Sequence, residues 1–380
     1  MSHARPYPGT APPAQPTVPP QRASGPWESG PQRGAGASPR HARAALPALT
    51  ARLAYIVLCA AGLVILLRQY GPAARVFPVE AVTAFVLLAA ALAIGAWALC
   101  RIRPVRPPSA GSAAAAVAWG VTAPVGLAMV ANQALIGMWS KGAGLAFAAD
   151  WAPALSAPLN EEVLKLAGVV LIAVAAPWAV RGPVDGFILG ALVGLGFQMV
   201  ENATYALNLV MQQGATDGLQ STLLSVVLRV GLTGLGTHWA MSAVAGTAVG
   251  ILAAERWRPG RRRAAGAAVL VLVAVALHWF FDAPLLGGSV AGTLVKVAAG
   301  FCTAMVVYFA VRHGYRRRVR RALADAGEAL DLHRSDALAL ARRSGRRKAL
   351  LRVPLPDRPA AESRQRELLA TAERRADAEE

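Results

Sequence analysis

Long runs of apolar residues constrain this chain more than any other feature. Hydrophobic residues make up 55% of it, and charged residues only 16%. A helix needs about 20 mostly apolar residues to cross a bilayer, and the runs lack the alternation typical of barrel strands. The sequence therefore predicts an all-α fold, a polytopic transmembrane helical bundle. About eight spans are predicted, near 52–69, 77–100, 113–139, 155–180, 184–207, 234–254, 264–284 and 289–312.

The two ends differ from this membrane domain, which we place at 51–312. Residues 1–50 contain eleven of the 26 prolines, together with Gly, Ser and Ala. This composition buries too little apolar surface to offset the entropy of ordering, so it predicts a disordered tail. Residues 313–380 are rich in Arg, Ala, Glu and Leu. They predict a charged helical tail, either solvated or lying on the membrane surface.

Arginine placement predicts the orientation. Arginines collect in the connection after the second span, in the connection after the sixth span, and behind the last span, whereas the connections near 140–150, 208–220 and 284–288 have almost none. Positive loops stay in the cytoplasm, so both termini are expected there. The same rule explains the net charge of +18 without a nucleic-acid partner. The Ala-, Gly- and Arg-rich composition suggests a bacterium, and hence a bacterial cytoplasmic membrane.

Ionisable and polar residues interrupt four of the apolar runs. Such residues are costly in lipid and normally face the bundle interior or a water-filled cavity, so they are candidates for function. The predicted topology places all four groups at a similar depth, in the outer part of the membrane. The candidates are Glu161, Glu162, Lys165, Glu201, Asn202, His238, His278 and Asp282.

Spacing suggests partners among these residues. Glu161 and Lys165 stand four apart in the order that favours a helical ion pair, which leaves Glu162 free to face elsewhere. His278 and Asp282 share a helix face in the same way, so the carboxylate is expected to orient the ring. Arg229 is interpreted as an arginine that reaches the lipid headgroups.

Carboxylates and imidazoles together permit hydrolysis by two routes that the residues leave open. In one, Glu162, or second Glu161, is the general base and a histidine helps to activate the water. In the other, His238, His278 and Glu201 hold zinc, which lowers the pKa of a bound water to about 7. Asn202 is the candidate donor to the developing oxyanion.

Four short motifs resemble the PrsW family of intramembrane proteases, a group related to the CAAX-processing enzymes. They are Glu161-Glu162-Val-Leu-Lys165, the stretch from Pro183-Val-Asp185-Gly186 to Glu201-Asn202, Thr237-His238-Trp-Ala, and His278-Trp-Phe-Phe-Asp282. They occur in the family's order on successive spans. The resemblance covers about residues 155–285.

The resemblance implies a multi-span protease that cuts membrane-anchored proteins, such as an anti-sigma factor, on the extracytoplasmic side in regulated proteolysis. It leaves open whether the enzyme is a metalloprotease or a metal-independent glutamic protease. It also implies which residues are catalytic, namely Glu161, Glu162, Glu201, His238, His278 and Asp282.

Two other classes of function remain open from the sequence. A transporter also carries buried carboxylates and histidines, although no internal repeat of the kind common in transporters is visible. A catalytically silent membrane scaffold would keep the same fold. The expected partners are the lipid bilayer and a membrane-anchored protein substrate.

Overall fold

The structure, a computed structural model, describes the backbone of residues 39–328 and 333–378. Two units are distinguished, Met1–Arg43 and Ala44–Glu380. The first unit is described only from Pro39, so the predicted disorder of 1–38 lies outside the described residues. Helix α1 begins at Pro39, inside the segment predicted to be disordered. The Ala- and Arg-rich composition that follows this proline favours a helix.

The described residues form helices and no strand. The helices are α1 (Pro39–Val76), α2 (Pro78–Ile102), α3 (Ala110–Val121), α4 (Ala123–Ala143), α5 (Leu145–Ala175), α6 (Pro183–Gln212), α7 (Gly218–Val227), α8 (His238–Ala254), α9 (Arg261–Asp282), α10 (Val290–Glu328), α11 (Arg334–Ala339), α12 (Arg343–Leu351) and α13 (Arg358–Ala378). A π-helical turn, Leu228–Thr233, follows α7, and a short 3₁₀ turn, Leu355–Asp357, precedes α13.

Six helical segments of the described chain are long and apolar enough to cross a membrane, or seven if α7 and α8 form one bent span. The predicted fourth span corresponds to α5, which is not among them. It is 31 residues long, but its charged residues lower its apolar character below that of a span. The protein is a multi-pass membrane protein, and α5 is the helix whose charges are sheltered by its neighbours.

Helices α6 and α8 pack backbone to backbone along a stripe of glycines. A Cβ atom at Gly186, Gly190 or Gly194 would overlap carbonyl oxygens of α8, namely those of Gly246, Ser242 and His238. Small residues at every fourth position let two membrane helices approach this closely. The stripe therefore brings α6, with its polar residues one to two turns further along, against the first turn of α8.

Two spans are broken. The third predicted span consists of α3 and α4, which are separated at Thr122. Pro124 lies at the start of α4. Pro124 cannot donate a backbone hydrogen bond, which favours a break there. In the predicted sixth span, α7 and the π-helical turn precede α8. The axis of this first segment is bent by 44° relative to α8. Such π-helical turns occur often at functional sites.

The C-terminal helix α13 packs against α10 and the start of α6. Apolar residues of α13, among them Leu369 and Ala372, lie in one buried cluster with Val319 and Leu323 of α10 and Val184 of α6. The prediction of a solvated or membrane-surface tail does not describe α13. Sequence periodicity shows an apolar side of a helix but cannot show which distant helix covers it.

Buried ion pairs hold α13 in place. Glu373 is fully buried and accepts hydrogen bonds from Arg103 and from the hydroxyl of Tyr315, at 3.3 and 2.8 Å. Arg103 also binds Asp185 at 2.6 Å, at the start of α6. Asp185, which belongs to one of the recognised motifs, therefore lies in this network rather than among the predicted catalytic residues. Arg181 pairs with Asp377 at 3.1 Å.

Replacing Gly190 with alanine should destabilise the protein, by about 1–3 kcal/mol, because the added methyl group overlaps the α8 backbone. The matched control is Gly266→Ala in α9, where a Cβ meets nothing within 4 Å. Thermal unfolding of the purified proteins in detergent measures both. Equal melting temperatures for the two variants would contradict the proposed role of the stripe.

The docking of α13 should depend on pH through Asp377. Burial raises the pKa of Asp377 from 3.8 to about 6, against the opposing effect of Arg181. The docked state then binds more protons than the undocked state between these values, so docking weakens as the pH rises from about 4 to 6. Amide hydrogen exchange along α13 measures this. Asp377→Asn should abolish this part of the pH dependence, and an unchanged profile would refute the assignment.

Candidate active site

Four helices bring the predicted site residues together. Glu161, Glu162 and Lys165 come from the middle of α5, Glu201 and Asn202 from α6, His238 from the first turn of α8, and His278 and Asp282 from the last turns of α9. Most are buried, whereas Glu201 and Asp282 retain about a fifth of their side-chain exposure, at 21% and 19%. The expectation that these residues share one depth agrees with this convergence.

Lys165 lies at the centre of the cluster and is 1% exposed. Its Nζ atom is 2.6 Å from Glu162 Oε1 and 3.6 Å from Glu161 Oε2. It also lies 3.1 Å from His238 Nδ1 and packs over the ring of Phe197, 4.3 Å from its centroid. A buried ammonium is tolerated only with such partners, so the carboxylates and the lysine stabilise each other.

Glu162 is fully occupied by neighbours, so the prediction that it is free to face elsewhere is wrong. One carboxylate oxygen binds Lys165 and accepts from His278 Nδ1 at 3.0 Å, and the other accepts from Ser242 at 3.4 Å. The i,i+3 pair with Lys165 is shorter than the i,i+4 pair that spacing had favoured. Which of two adjacent glutamates a lysine approaches depends on neighbouring helices, which local spacing does not contain.

Carboxylates lie against ring nitrogens of both histidines. His238 Nε2 lies 2.7 Å from Glu201, and His278 Nδ1 lies 3.0 Å from Glu162. Because a carboxylate accepts, these two nitrogens are assigned as donors. His238 Nδ1 is then left to accept from Lys165 Nζ at 3.1 Å, whereas His278 Nε2 lies 3.4 Å from a second carboxylate, that of Asp282.

Glu161 lies near both of these other ring nitrogens. Its Oε2 atom is 3.9 Å from His238 Nδ1 and 3.7 Å from His278 Nε2. This oxygen is buried and makes no hydrogen bond, although Lys165 Nζ lies 3.6 Å away, whereas Oε1 accepts from Asn132 at 2.9 Å. A buried carboxylate oxygen without a hydrogen bond is costly, so a further group beside it would be favourable.

Glu161, His238 and His278 form a group that fits a metal ion. One ligand atom from each lies within 4.8 Å of the others. The carboxylates behind the two rings are also typical of metal-binding histidines, because they fix the ring and its tautomer. The sequence had favoured Glu201 as the third ligand. In the structure the carboxylate grouped with the two histidines is that of Glu161, and Glu201 lies on the other side of the His238 ring.

His278 and Asp282 lie together as their spacing predicts, with 3.4 Å between His278 Nε2 and Asp282 Oδ2. A lysine from α10 holds this end of α9. Lys296 donates to the carbonyl oxygens of Phe281 and Ala283, at 3.0 and 2.6 Å. The backbone on either side of Asp282 is thereby fixed.

Sequence reasoning missed Asn132, which lies beside Glu161. Asn132 of α4 donates to Glu161, and Asn160 donates to Asn132 at 3.0 Å. An amide inside an apolar run was the available indication, since polar residues in spans usually face the bundle interior. The third span thus supplies a direct neighbour of the site, although the motifs begin only in the following helix.

Arg229 was also assigned wrongly. Its guanidinium points toward the cluster instead of toward headgroups: Nε donates to Asn202 Oδ1 at 2.8 Å, and Nη2 lies 3.5 Å from Glu201 Oε2. The group stacks on the ring of Tyr205, 3.5 Å from its centroid. The π-helical turn that carries Arg229 cannot be recognised from periodicity, so its direction was not predictable.

The chain is a helical membrane bundle with a buried group of two histidines and a carboxylate, a ligand set that catalytic metal sites of hydrolytic enzymes use. The family model described as PrsW family intramembrane metalloprotease matches residues 108–311, a little over half of the chain. The chain belongs to this family of proteases. No curated protein and no solved structure matches the chain. The matched segment includes every residue of the cluster described above, and the resemblance noted from the motifs is confirmed.

Replacing Lys165 with methionine should destabilise the fold, by roughly 3 kcal/mol, because two buried carboxylates lose their counter-charge. Lys141→Met, at an exposed position near the end of α4, is the matched control. Thermal unfolding of both purified variants gives the comparison. Wild-type stability in the Lys165 variant would show that the carboxylates do not depend on this ammonium.

Proposed function

We propose that this protein is an intramembrane endopeptidase that hydrolyses a peptide bond of a membrane-anchored protein. The observation that carries the proposal is the position of Glu161 Oε2, a buried oxygen without a hydrogen bond that lies 3.9 and 3.7 Å from ring nitrogens of His238 and His278. Peptide hydrolysis needs an activated water and a donor for the oxyanion. Membership of the PrsW family supports this reaction.

Zinc is the proposed metal. Glu161, His238 and His278 would hold it, since two imidazoles and one carboxylate are a ligand set of catalytic zinc. When bound, a zinc ion lowers the pKa of its water and polarises the scissile carbonyl. The Glu161 oxygen without a hydrogen bond, and the two imidazoles grouped with it, are the observations that favour a metal over the metal-independent route.

The remaining residues of the cluster have supporting roles. Glu162 accepts from His278 Nδ1 and Glu201 accepts from His238 Nε2, which orients both rings with their other nitrogens near Glu161. Asp282 lies 3.4 Å from His278 Nε2 and helps to orient the ring. Asn202 is the proposed oxyanion donor, because its Nδ2 atom is buried and has no partner. The sequence favoured Glu162 as the general base. In these proposed roles, Glu162 supports His278 from behind and does not contact the reacting atoms.

The substrate side follows from the predicted topology. With both termini in the cytoplasm of a bacterium, the cluster lies in the outer part of the cytoplasmic membrane, so the cut falls near the extracytoplasmic face. An anti-sigma factor with one membrane anchor is the proposed substrate class, and the release of its partner would make this regulated proteolysis.

Glu161→Gln should lower cleavage of a co-expressed substrate by a hundredfold or more, on the order expected for loss of a group that activates water. The variant should lose less stability than Glu162→Gln, since the oxygen of the new amide can still accept from Asn132 and Lys165 keeps its nearer partner, Glu162. Glu162→Gln should also abolish cleavage, but with lower stability, because Lys165 and His278 lose a charged partner. Glu255→Gln, in a loop remote from the cluster, is the control.

The test on the natural substrate compares cleaved membrane proteins in a wild-type strain with those in a strain carrying Glu161→Gln. We expect at least one anchored protein to remain intact in the variant and in wild-type membranes treated with a chelator. Cleavage that survives both would refute the proposal. Ion flux into vesicles that is the same for the wild-type protein and Glu161→Gln would favour a transporter. A substrate protein that the wild-type protein binds but never cuts would favour a silent scaffold.

A further inference from the structure

The π-helical turn between α7 and α8 presents Arg229 to the cluster. Arg229 contacts three residues of α6: it donates to Asn202, pairs with Glu201 and stacks on Tyr205. Its side chain is three-quarters buried, with 25% exposed. An arginine that serves only to reach headgroups would not use its guanidinium in this way.

Arg229 and His238 both contact the same carboxylate oxygen, Oε2 of Glu201. His238 Nε2 lies 2.7 Å from Glu201 Oε2, and Arg229 Nη2 lies 3.5 Å from that oxygen. In a straight α-helix, residues nine apart lie on opposite faces and roughly 13 Å apart along the axis. The π-helical turn and the 44° bend before α8 remove this separation. The break in the helix is therefore what allows both groups to reach one carboxylate.

The turn is itself held against α6. The carbonyl oxygen of Gly234 accepts from Gln198 at 3.3 Å and from the indole of Trp239 at 2.9 Å. Thr237 donates to Gln198 at 3.1 Å. These bonds keep the segment between Arg229 and His238 in its bent shape.

Arg229 also decides which way the Asn202 amide faces. Because Asn202 Oδ1 accepts from Arg229, the amide Nδ2 is left as the unpartnered, buried donor. Without the arginine, either orientation of the amide would be open. The Arg229 guanidinium thus orients two groups of the proposed site, the Glu201 carboxylate and the Asn202 amide.

We propose that Arg229 is a positioning residue for the hydrolytic site, acting through the Glu201 carboxylate on His238 and through the Asn202 amide on the oxyanion position. The catalytic part of this inference rests on the proposed function. The positioning part concerns only the orientation of His238 and stands without it.

The first experiment needs neither substrate nor metal. Purified wild-type, Arg229→Gln and Arg229→Lys proteins are treated with diethylpyrocarbonate, and modification of each histidine is followed by mass spectrometry. We expect the rate at His238 to rise severalfold in Arg229→Gln and to return toward wild type in Arg229→Lys. The rate at His278 should stay constant, because that ring is held by Glu162. Exposed His313 is the internal reference.

The second experiment measures cleavage. Arg229→Gln should lower kcat about tenfold with little change in KM, whereas Arg258→Gln, at an exposed loop position, should match wild type. If Arg229 acts through Glu201, adding Arg229→Gln to a Glu201→Gln protein should change kcat by less than it does alone.

The outcomes separate the two claims. Unchanged reactivity at His238 in Arg229→Gln, or an equal rise at His278, overturns the positioning role. Selective reactivity at His238 in a wild-type protein that cuts no substrate supports positioning and contradicts the proposed function. Full additivity of the two substitutions in kcat shows that Arg229 does not act through Glu201.

Discussion

The buried ammonium of Lys165 is the charge on which the site depends. Two carboxylates and two imidazoles cannot be gathered in an apolar bundle unless a counter-charge offsets their desolvation. Lys165 supplies it from one turn along the same helix as Glu161 and Glu162, at 3.6 and 2.6 Å. Because Glu162 binds the lysine and His278 closely, Glu161 Oε2 is left with only the longer ion pair and no hydrogen bond. The division of roles between adjacent glutamates thus follows from one ion pair.

Close helix packing then brings the other groups to α5. The glycine stripe of α6 lets α8 approach until backbones touch, which sets Glu201 beside His238. The bend before α8 adds Arg229 from a segment that a straight helix would direct away. At the opposite end of α6, Asp185 joins the buried ion pairs that dock α13. Helix α6 therefore connects the site with the C-terminal region through one rigid element.

Much of this could be predicted from the sequence because membrane helices are local structures. Apolar length identified the spans, and the cost of charge in lipid singled out the residues of the cluster. The i,i+4 pair of His278 and Asp282 was predictable for the same reason, since both lie on one face of one helix. By contrast, Asn132, Arg229 and the contacts of Glu373 depend on helices far apart in the chain, and no local pattern contains them.

The sequence by itself determined that the protein is a helical membrane bundle, that its ionisable residues belong inside it, and to which family it belongs. Those properties follow from composition, helical period and short motifs. Only the tertiary structure decided that Glu161 rather than Glu201 shares a group with the two histidines. It alone decided that Glu162 is enclosed and that Arg229 faces inward. The physical reason is that a side chain's partner is chosen by the packing of several helices, and packing depends on contacts between residues distant in sequence.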